Sequence, residues 1–453
     1  MTNLHSQLLC IGRAIMDKSF INESYNSMLT VQLNWPSLCI KRLFAMALLF
    51  APFNIQAASN WLDQIQFHAF ATQGLIFTTD NNFYGDSDHG SADFTELGLN
   101  ASLQISPKLR IAGQLLSRNA GGMDDGSPRV DYALLDVNLK STTENRLGIY
   151  IGRIKNPLGL YNETRDVAHT RASVFTQQAL YFDKVRDLTL SADGIGFYSE
   201  FYLDSGSLIL QGALGYPIPD KNAEITYLGQ DWAGSLEANR PAFVGRIMYE
   251  HDGGRWVVAL SGASLELDFK HGAADAAIPI IGINSGTLEI DYTILSGQFN
   301  GEKWQFTSEI GIQKANFIDM GGLLENADTK PLGFTLEANY KFTPNWQAFI
   351  RSETFYLDRQ DKYGHQFNQG AQQYSGQVSF LSGGAINLPV LPAESRYSQA
   401  WIVGGRWDIN KHLMMRADYH IVKGTAILSP VENDLSTADK YWDMFAMSLS
   451  YRF

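Results

Sequence analysis

From residue 60 onward, apolar and polar residues alternate along the chain. Leu332, Phe334, Leu336, Ala338, Tyr340 and Phe342 form one series, and Gly333, Thr335, Glu337, Asn339 and Lys341 form the other. Trp304, Phe306, Ile310 and Ile312 oppose Gln305, Thr307, Glu309 and Gln313. Leu413, Met415, Ala417, Tyr419 and Ile421 oppose Met414, Arg416, Asp418 and His420, and Leu288, Ile290, Tyr292 and Ile294 oppose Glu289, Asp291 and Thr293. The last stretch sets Phe445, Met447, Leu449, Tyr451 and Phe453 against Ala446, Ser448, Ser450 and Arg452. A period of two marks a strand with unlike faces.

Sixteen such runs are predicted, near 61–78, 92–105, 109–118, 130–140, 145–155, 193–204, 206–216, 241–251, 254–266, 285–300, 302–315, 331–342, 344–357, 397–409, 411–423 and 440–453. They are longer than the average globular strand of about 5–6 residues. They suit a tilted bilayer-spanning strand of about 9–11. Seven short connections carry turn chemistry, among them "TTEN", "DSGS", "HDGG" and "TPN". Eight long ones alternate with them, roughly 79–91, 119–129, 156–192, 217–240, 267–284, 316–330, 358–396 and 424–439. Every proline after residue 60 is read as falling in a connection or at a strand start. The expected fold is therefore all-β, a transmembrane antiparallel β-barrel of about 16 strands with short periplasmic turns and long extracellular loops. Closure follows, because an open edge would leave backbone groups unpaired in hydrocarbon at several kcal/mol each. The last strand is expected to pair with the first, and lipid to cover the apolar face of 441–453.

Composition agrees with this. Aromatics make up 12% of the 453 residues, and 40 Gly against 14 Pro suit many strands with tight bends. No stretch resembles a helical membrane span. Lys41-Arg42, the apolar run Leu43–Phe53 and Ile55-Gln56-Ala57 read as a secretory signal peptide, cleaved after Ala57 or Ala58. Residues 1–57 are accordingly set apart as an N-terminal extension plus signal peptide, and 58–453 as the barrel. Both cysteines, Cys10 and Cys39, fall in the removed part, as suits an oxidising periplasm. The net charge of −12 argues against nucleic acid as a partner.

Signal peptide, sixteen long strands and a terminal Phe together resemble the outer-membrane porins of Gram-negative bacteria. The run "YIGRIKNPLGLYNETRDVAHTR", Tyr150 to Arg171, is similar to the strand-to-loop passage of phosphate-selective-type and dicarboxylate-type porins. The motif is short, and the coiled-coil N-terminus of some dicarboxylate-type porins is absent. The resemblance implies a trimeric diffusion channel for small hydrophilic solutes in outer-membrane lipid. It also implies that Tyr451 and Phe453 form a signal read by the barrel-assembly machinery. It further implies that the third long loop, 156–192, folds inward and narrows the lumen.

The candidate constriction then comprises Glu163, Arg165, Asp166, His169 and Arg171 of that loop, faced by wall residues Arg110, Arg351, Arg406 and Arg416. Rings of charge at close quarters set ion preference. Arg118, Arg246, Glu289, Asp291, Glu309, Glu337 and Glu353 also fall on polar registers. Arg153 and Lys155 complete the candidates, although they share the register of Leu147, Ile149 and Ile151, which leaves their face open. Four basic and four acidic residues balance within 156–192, so anion or cation preference stays open. No catalytic motif, metal-ligand spacing or cofactor cradle stands out. Asp86, Asp88, Asp124 and Asp125 read as solvated acidic loops. A barrel hydrolase and a structural or surface-recognition barrel remain as alternative functions.

Overall fold

The computed structural model describes residues 64–275, 282–325 and 327–453. The expected extension and signal peptide within 1–57 fall outside them. Sixteen strands form one closed antiparallel barrel: β1 Ile65–Thr78, β2 Ser91–Ser106, β3 Leu109–Ala120, β4 Asp125–Ser141, β5 Asn145–Lys155, β6 Ser191–Leu203, β7 Gly206–Pro217 and β8 Ala242–His251. They continue as β9 Trp256–Lys270, β10 Gly286–Asn300, β11 Trp304–Ile318, β12 Leu332–Thr343, β13 Trp346–Tyr356, β14 Tyr397–Asp408, β15 Leu413–Lys423 and β16 Tyr441–Arg452. Two short ribbons, Ser235–Glu237 and Asp328–Thr329, extend β9 and β11 beyond the rim.

The barrel closes where the alternation requires it. β16 pairs with β1 from Phe70 opposite Arg452 to Thr78 opposite Met444. The Phe453 amide donates to the Ala69 carbonyl at 3.1 Å, so pairing runs to the last residue. Leu449 is 41% exposed and its neighbour Ser448 1%, which puts the apolar series outside and the small polar series inside. The same outward exposure runs through Ile310, Leu336, Ile350, Trp401, Val403 and Ile421. At the short-turn end this belt is rimmed by aromatics: Trp304 stacks on Phe306 at 5.5 Å and Trp346 on Trp407 at 5.0 Å. An apolar band with an aromatic girdle is how a barrel meets lipid.

Four expectations change. β4 reaches back to Asp125, so the second long connection shrinks to residues 121–124. Pro128 then lies inside a strand, next to a register shift between Ser117 and Asn119, where a missing N–H is tolerated. On β10 the faces are the reverse of the expected ones: Leu288, Ile290 and Ile294 are buried inside, while Asp291 is exposed and Glu289 shares its outer face. The reason lies in the lumen, where at this height apolar loop residues pack against the wall. Finally, three helices occupy connections read as irregular: α1 Arg186–Leu190, α2 Lys221–Leu228 and α3 His365–Leu381.

Two apolar clusters fill the long-loop half of the lumen. One joins Phe83 and Tyr84 of the first long connection, Val174 and Phe175 of the third and Leu428 of the last to wall residues such as Phe94, Phe349, Ile402 and Trp442. The other joins Val185 and Leu188 to α2 and to Leu267, Leu288, Ile290 and Phe317.

Candidate functional site

The connection between Lys155 and Ser191 enters the barrel, and the polar face of the wall holds it there. Its backbone is gripped from both sides. Wall carboxylates accept from loop amides: Asp418 from Val174 at 2.6 Å, Glu353 from Ala179 at 3.0 Å and Glu309 from Leu160 at 3.0 Å. Ser261 accepts from Gly159 at 2.8 Å. Wall guanidiniums donate to loop carbonyls: Arg246 to Gly159 at 2.7 Å, Arg351 to Phe175 at 3.3 Å and Arg406 to His169 at 2.8 Å. Arg416 reaches both Ala168, at 3.2 Å, and Ser173, at 2.7 Å. Irregular buried backbone needs such partners. The inward charges of β8 to β15 thus supply what a sheet or helix would otherwise supply to this loop.

Glycine permits the close approach. A Cβ on Gly333 of β12 would stand 2.1 Å from the Ala179 carbonyl oxygen. Gly159 has φ +60°, and a Cβ there would meet the Tyr181 hydroxyl, which itself accepts from the amides of Leu160 and Tyr161 and donates to Glu309.

The loop's own charges form a second layer. Arg165 donates to the Tyr181 carbonyl and to Asp183, both at 3.0 Å. Asp183 also accepts from Tyr84 of the first long connection and lies 3.4 Å from Arg118 of β3, which pairs with Glu96 at 3.3 Å. Burial alone would raise the Asp183 carboxyl, but Arg118 and Arg165 outweigh it and hold it below the usual range. Asp166 pairs with Arg186 and, at 2.7 Å, with Lys155, which also holds Asp131 at 2.8 Å. Arg171 donates to the carbonyls of Arg165 at 2.6 Å and Val174 at 3.1 Å. Burial pulls its guanidinium below its ordinary value. Glu163 accepts from Arg246 at 2.5 Å. Burial, then Arg452, Arg406 and Arg416, hold the His169 imidazole down to about 4. Lys184 is half-buried without a carboxylate among its hydrogen-bond partners and donates to the carbonyls of Ala426 and Leu428 of the last connection, at 2.7 and 3.3 Å. Burial, then Arg396, lower it to about 8.

Of the sequence candidates, Lys155, Glu163, Arg165, Asp166, His169, Arg171, Arg351, Arg406 and Arg416 therefore come together in or against this loop. Two do not. Arg153 forks onto Asp193 at 2.7 and 2.8 Å, beside outward-facing Ile151 and Ile195. The β5–β6 ladder runs without a register shift to Lys155, and at this last residue of the strand the side chain reaches inward to Asp131 and Asp166. Arg110 does face the lumen, but at the short-turn end, where it is 44% exposed and 3.5 Å from Asp136. Tyr84, Tyr181, Asp131 and Glu96 were not foreseen. Each is a residue type common on any surface, and only the loop's path across the barrel brings them together.

The lumen is packed at this height. Among the described residues each of the sixteen strands contributes a buried inward residue at the loop's level, from Thr72 of β1 through Glu96, Arg118 and Asp131 to Ser448 of β16. On the short-turn side lies a polar vestibule lined by Asn100, Arg110, Gln298, Gln305, Gln347 and Arg452, none of them buried.

No protein-family model matches the chain, and no curated protein matches it. Solved structures do. OprB of Pseudomonas putida at high pH matches with TM-score 0.52 and 10% identity, over 86% of this chain and 95% of that one. An anion-selective porin from Comamonas acidovorans matches with TM-score 0.51 and 10% identity, over 86% and 99%. The outer membrane channel DcaP of Acinetobacter baumannii matches with TM-score 0.50 and 11% identity, over 86% and 97%. The chain thus has the closed sixteen-stranded fold of the outer-membrane porins, with the lipid-facing belt of an outer-membrane barrel. At these identities the likeness is one of fold.

Proposed function

We propose that this chain is a porin-type channel of the Gram-negative outer membrane, through which small hydrophilic solutes or ions diffuse passively, and that the third loop is its barrier. The mature barrel begins near residue 58 after signal-peptide removal. Tyr451 and Phe453 carry the signal for the barrel-assembly machinery, and the working unit is a homotrimer. The observation that supports the reading best is the barrel's inner face. It pairs a polar vestibule with a loop held across the lumen by reversible contacts, hydrogen bonds and ion pairs between wall and loop. The porin and channel structures of the same fold agree with it. Ion preference is set where the vestibule meets the loop, with Arg406 and Arg452 near His169 and Asp408 opposing them. That sector favours anions.

Purified protein refolded into planar bilayers tests this: discrete conductance steps with a reversal potential favouring anions are expected. The packed lumen supports a second reading, a surface-recognition barrel whose loops do the binding. Folded barrels that insert but never conduct would select that reading.

A further inference from the structure

The seventh long connection, residues 357–396, carries a hairpin that no part of the channel reading uses. Helix α3 is followed by a return segment, and the two are tied together by Asn368 to the Leu391 carbonyl at 2.9 Å, Ser375 to the Leu388 carbonyl at 2.8 Å and Ser379 to Asn387 at 3.0 Å. The helix is about 25 Å long. Its far end exposes Phe380 at 84% and Leu381 at 67%, beside the turn at Gly383 and Gly384. Those exposures exceed that of any lipid-facing residue of the belt.

Two independent observations say what covers this end. The first is where the hairpin is rooted. Tyr363, one residue before the N-cap of α3, packs edge-on against Tyr356 at 5.9 Å and Tyr397 at 5.4 Å. Tyr356 lies on the outer series of β13, opposite Leu332 of β12, which is opposite Ile312 of β11. Leu332 begins β12, and beyond Ile312 the outer series of β11 turns polar at Lys314 and Asn316. The root is therefore continuous with the lipid-facing surface and outside the wall, and tyrosine is a residue favoured at a membrane interface. The second is charge. From Tyr363 to Ala393 there is no Asp, Glu, Lys or Arg in 31 residues, where a chain 18% charged would place about six. A loop meant for water has no need to exclude charge, whereas a segment resting on lipid does.

We propose that hairpin 365–392 is an interfacial arm lying on the outer leaflet of the membrane that the barrel spans, with Phe380 and Leu381 in its lipid. Burial there reaches about 5–10 Å, the depth of the headgroup–acyl boundary. The inference rests on the barrel being transmembrane.

The test uses the full chain with Cys10→Ser and Cys39→Ser, labelled with bimane at Phe380→Cys, Leu381→Cys, Asp86→Cys or Leu449→Cys. Each is reconstituted in phosphatidylcholine vesicles with and without acyl-chain bromination. Labels at 380 and 381 are expected to lose emission to brominated chains, as the belt label at 449 does, and the label at 86, on an exposed loop away from the hairpin, much less. Quenching at 449 without quenching at 380 or 381 would overturn the arm and leave the barrel intact. No quenching at 449 would overturn the barrel reading itself. A bimane response at 380 that ignores bromine and disappears when the protein is diluted in excess lipid would assign the tip to a second copy and overturn the lipid contact.

Discussion

Gly333 is where the seat of the third loop can be disturbed with the smallest change. A methyl group there must stand 2.1 Å from the Ala179 carbonyl oxygen and 2.9 Å from Leu180 Cδ2. The residue is paired on both sides within β12, and its φ is not positive, so alanine suits the strand itself. The wall is fixed by its ladders, so the loop must yield, by roughly 1 Å to regain van der Waals distance. The first contact it strains is the 3.0 Å bond from the Ala179 amide to Glu353. Overpacking of this kind costs about 1–3 kcal/mol. Because the cost falls on the seated loop and not on the barrel, it shifts the seated-to-unseated ratio by about 5- to 150-fold. Gly333→Ala should therefore raise the open fraction in single-channel recordings and leave the heat-modifiable mobility of the barrel unchanged. Gly297→Ala, where a Cβ meets nothing within 4 Å, is the control. An open fraction equal to that of the control would refute the claim that the loop's contact with β12 governs passage.

Leu449→Arg, on the lipid face near mid-belt, should destabilise the barrel by about 2–4 kcal/mol in a vesicle folding titration, while Gln298→Arg in the vestibule should change it little. Ser448→Arg is no neutral counterpart, because residue 448 is buried opposite Arg416. Lys184 has a folded-state pKa of about 8, below its unfolded value of about 10.4. The penalty for burying its charge is therefore fully present below pH 8 and fades as pH rises toward the unfolded value. Docking of the third loop on the last should tighten over that window, measured as higher amide protection factors once the intrinsic pH dependence of exchange is divided out, and Lys184→Met should abolish the dependence. Arg452→Gln removes one of the three cations beside His169, so the His169 pKa should rise above about 4, followed by histidine NMR. An unmoved titration would mean that Arg452 has no part in setting it.

The barrel was legible because each strand has one face in lipid and the other against polar groups, and that contrast writes a period of two over ten or more residues. It failed where the contrast fails. On β10, above the belt, Glu289 and Asp291 face outward and the lumen side is greasy, so the same alternation points the opposite way. The site was legible as a collection of charges and not as an arrangement. Arg351, Arg406 and Arg416 read as pore-lining because an inward charge with no visible partner resembles a ligand for solute. Arg351 pairs with Glu337 and Glu353 and Arg406 with Asp408 on the wall, but all three also donate to carbonyl groups of a loop more than 170 residues away in the chain, which side-chain patterns do not record. Arg153 and Lys155 share one register and differ in their partners, exposed Asp193 for the first and buried Asp131 and Asp166 for the second, which a one-letter code does not announce.

The most direct test removes the barrier and keeps the wall. A variant in which residues 160–188 are replaced by a short Gly-Ser link retains all sixteen strands and loses the loop that crosses them. Its single-channel conductance in planar bilayers should be large and steady, well above that of the unaltered chain at the same salt. A folded, inserted variant that conducts no more than the unaltered chain would contradict the account, because the lumen would then be blocked by something other than the third loop.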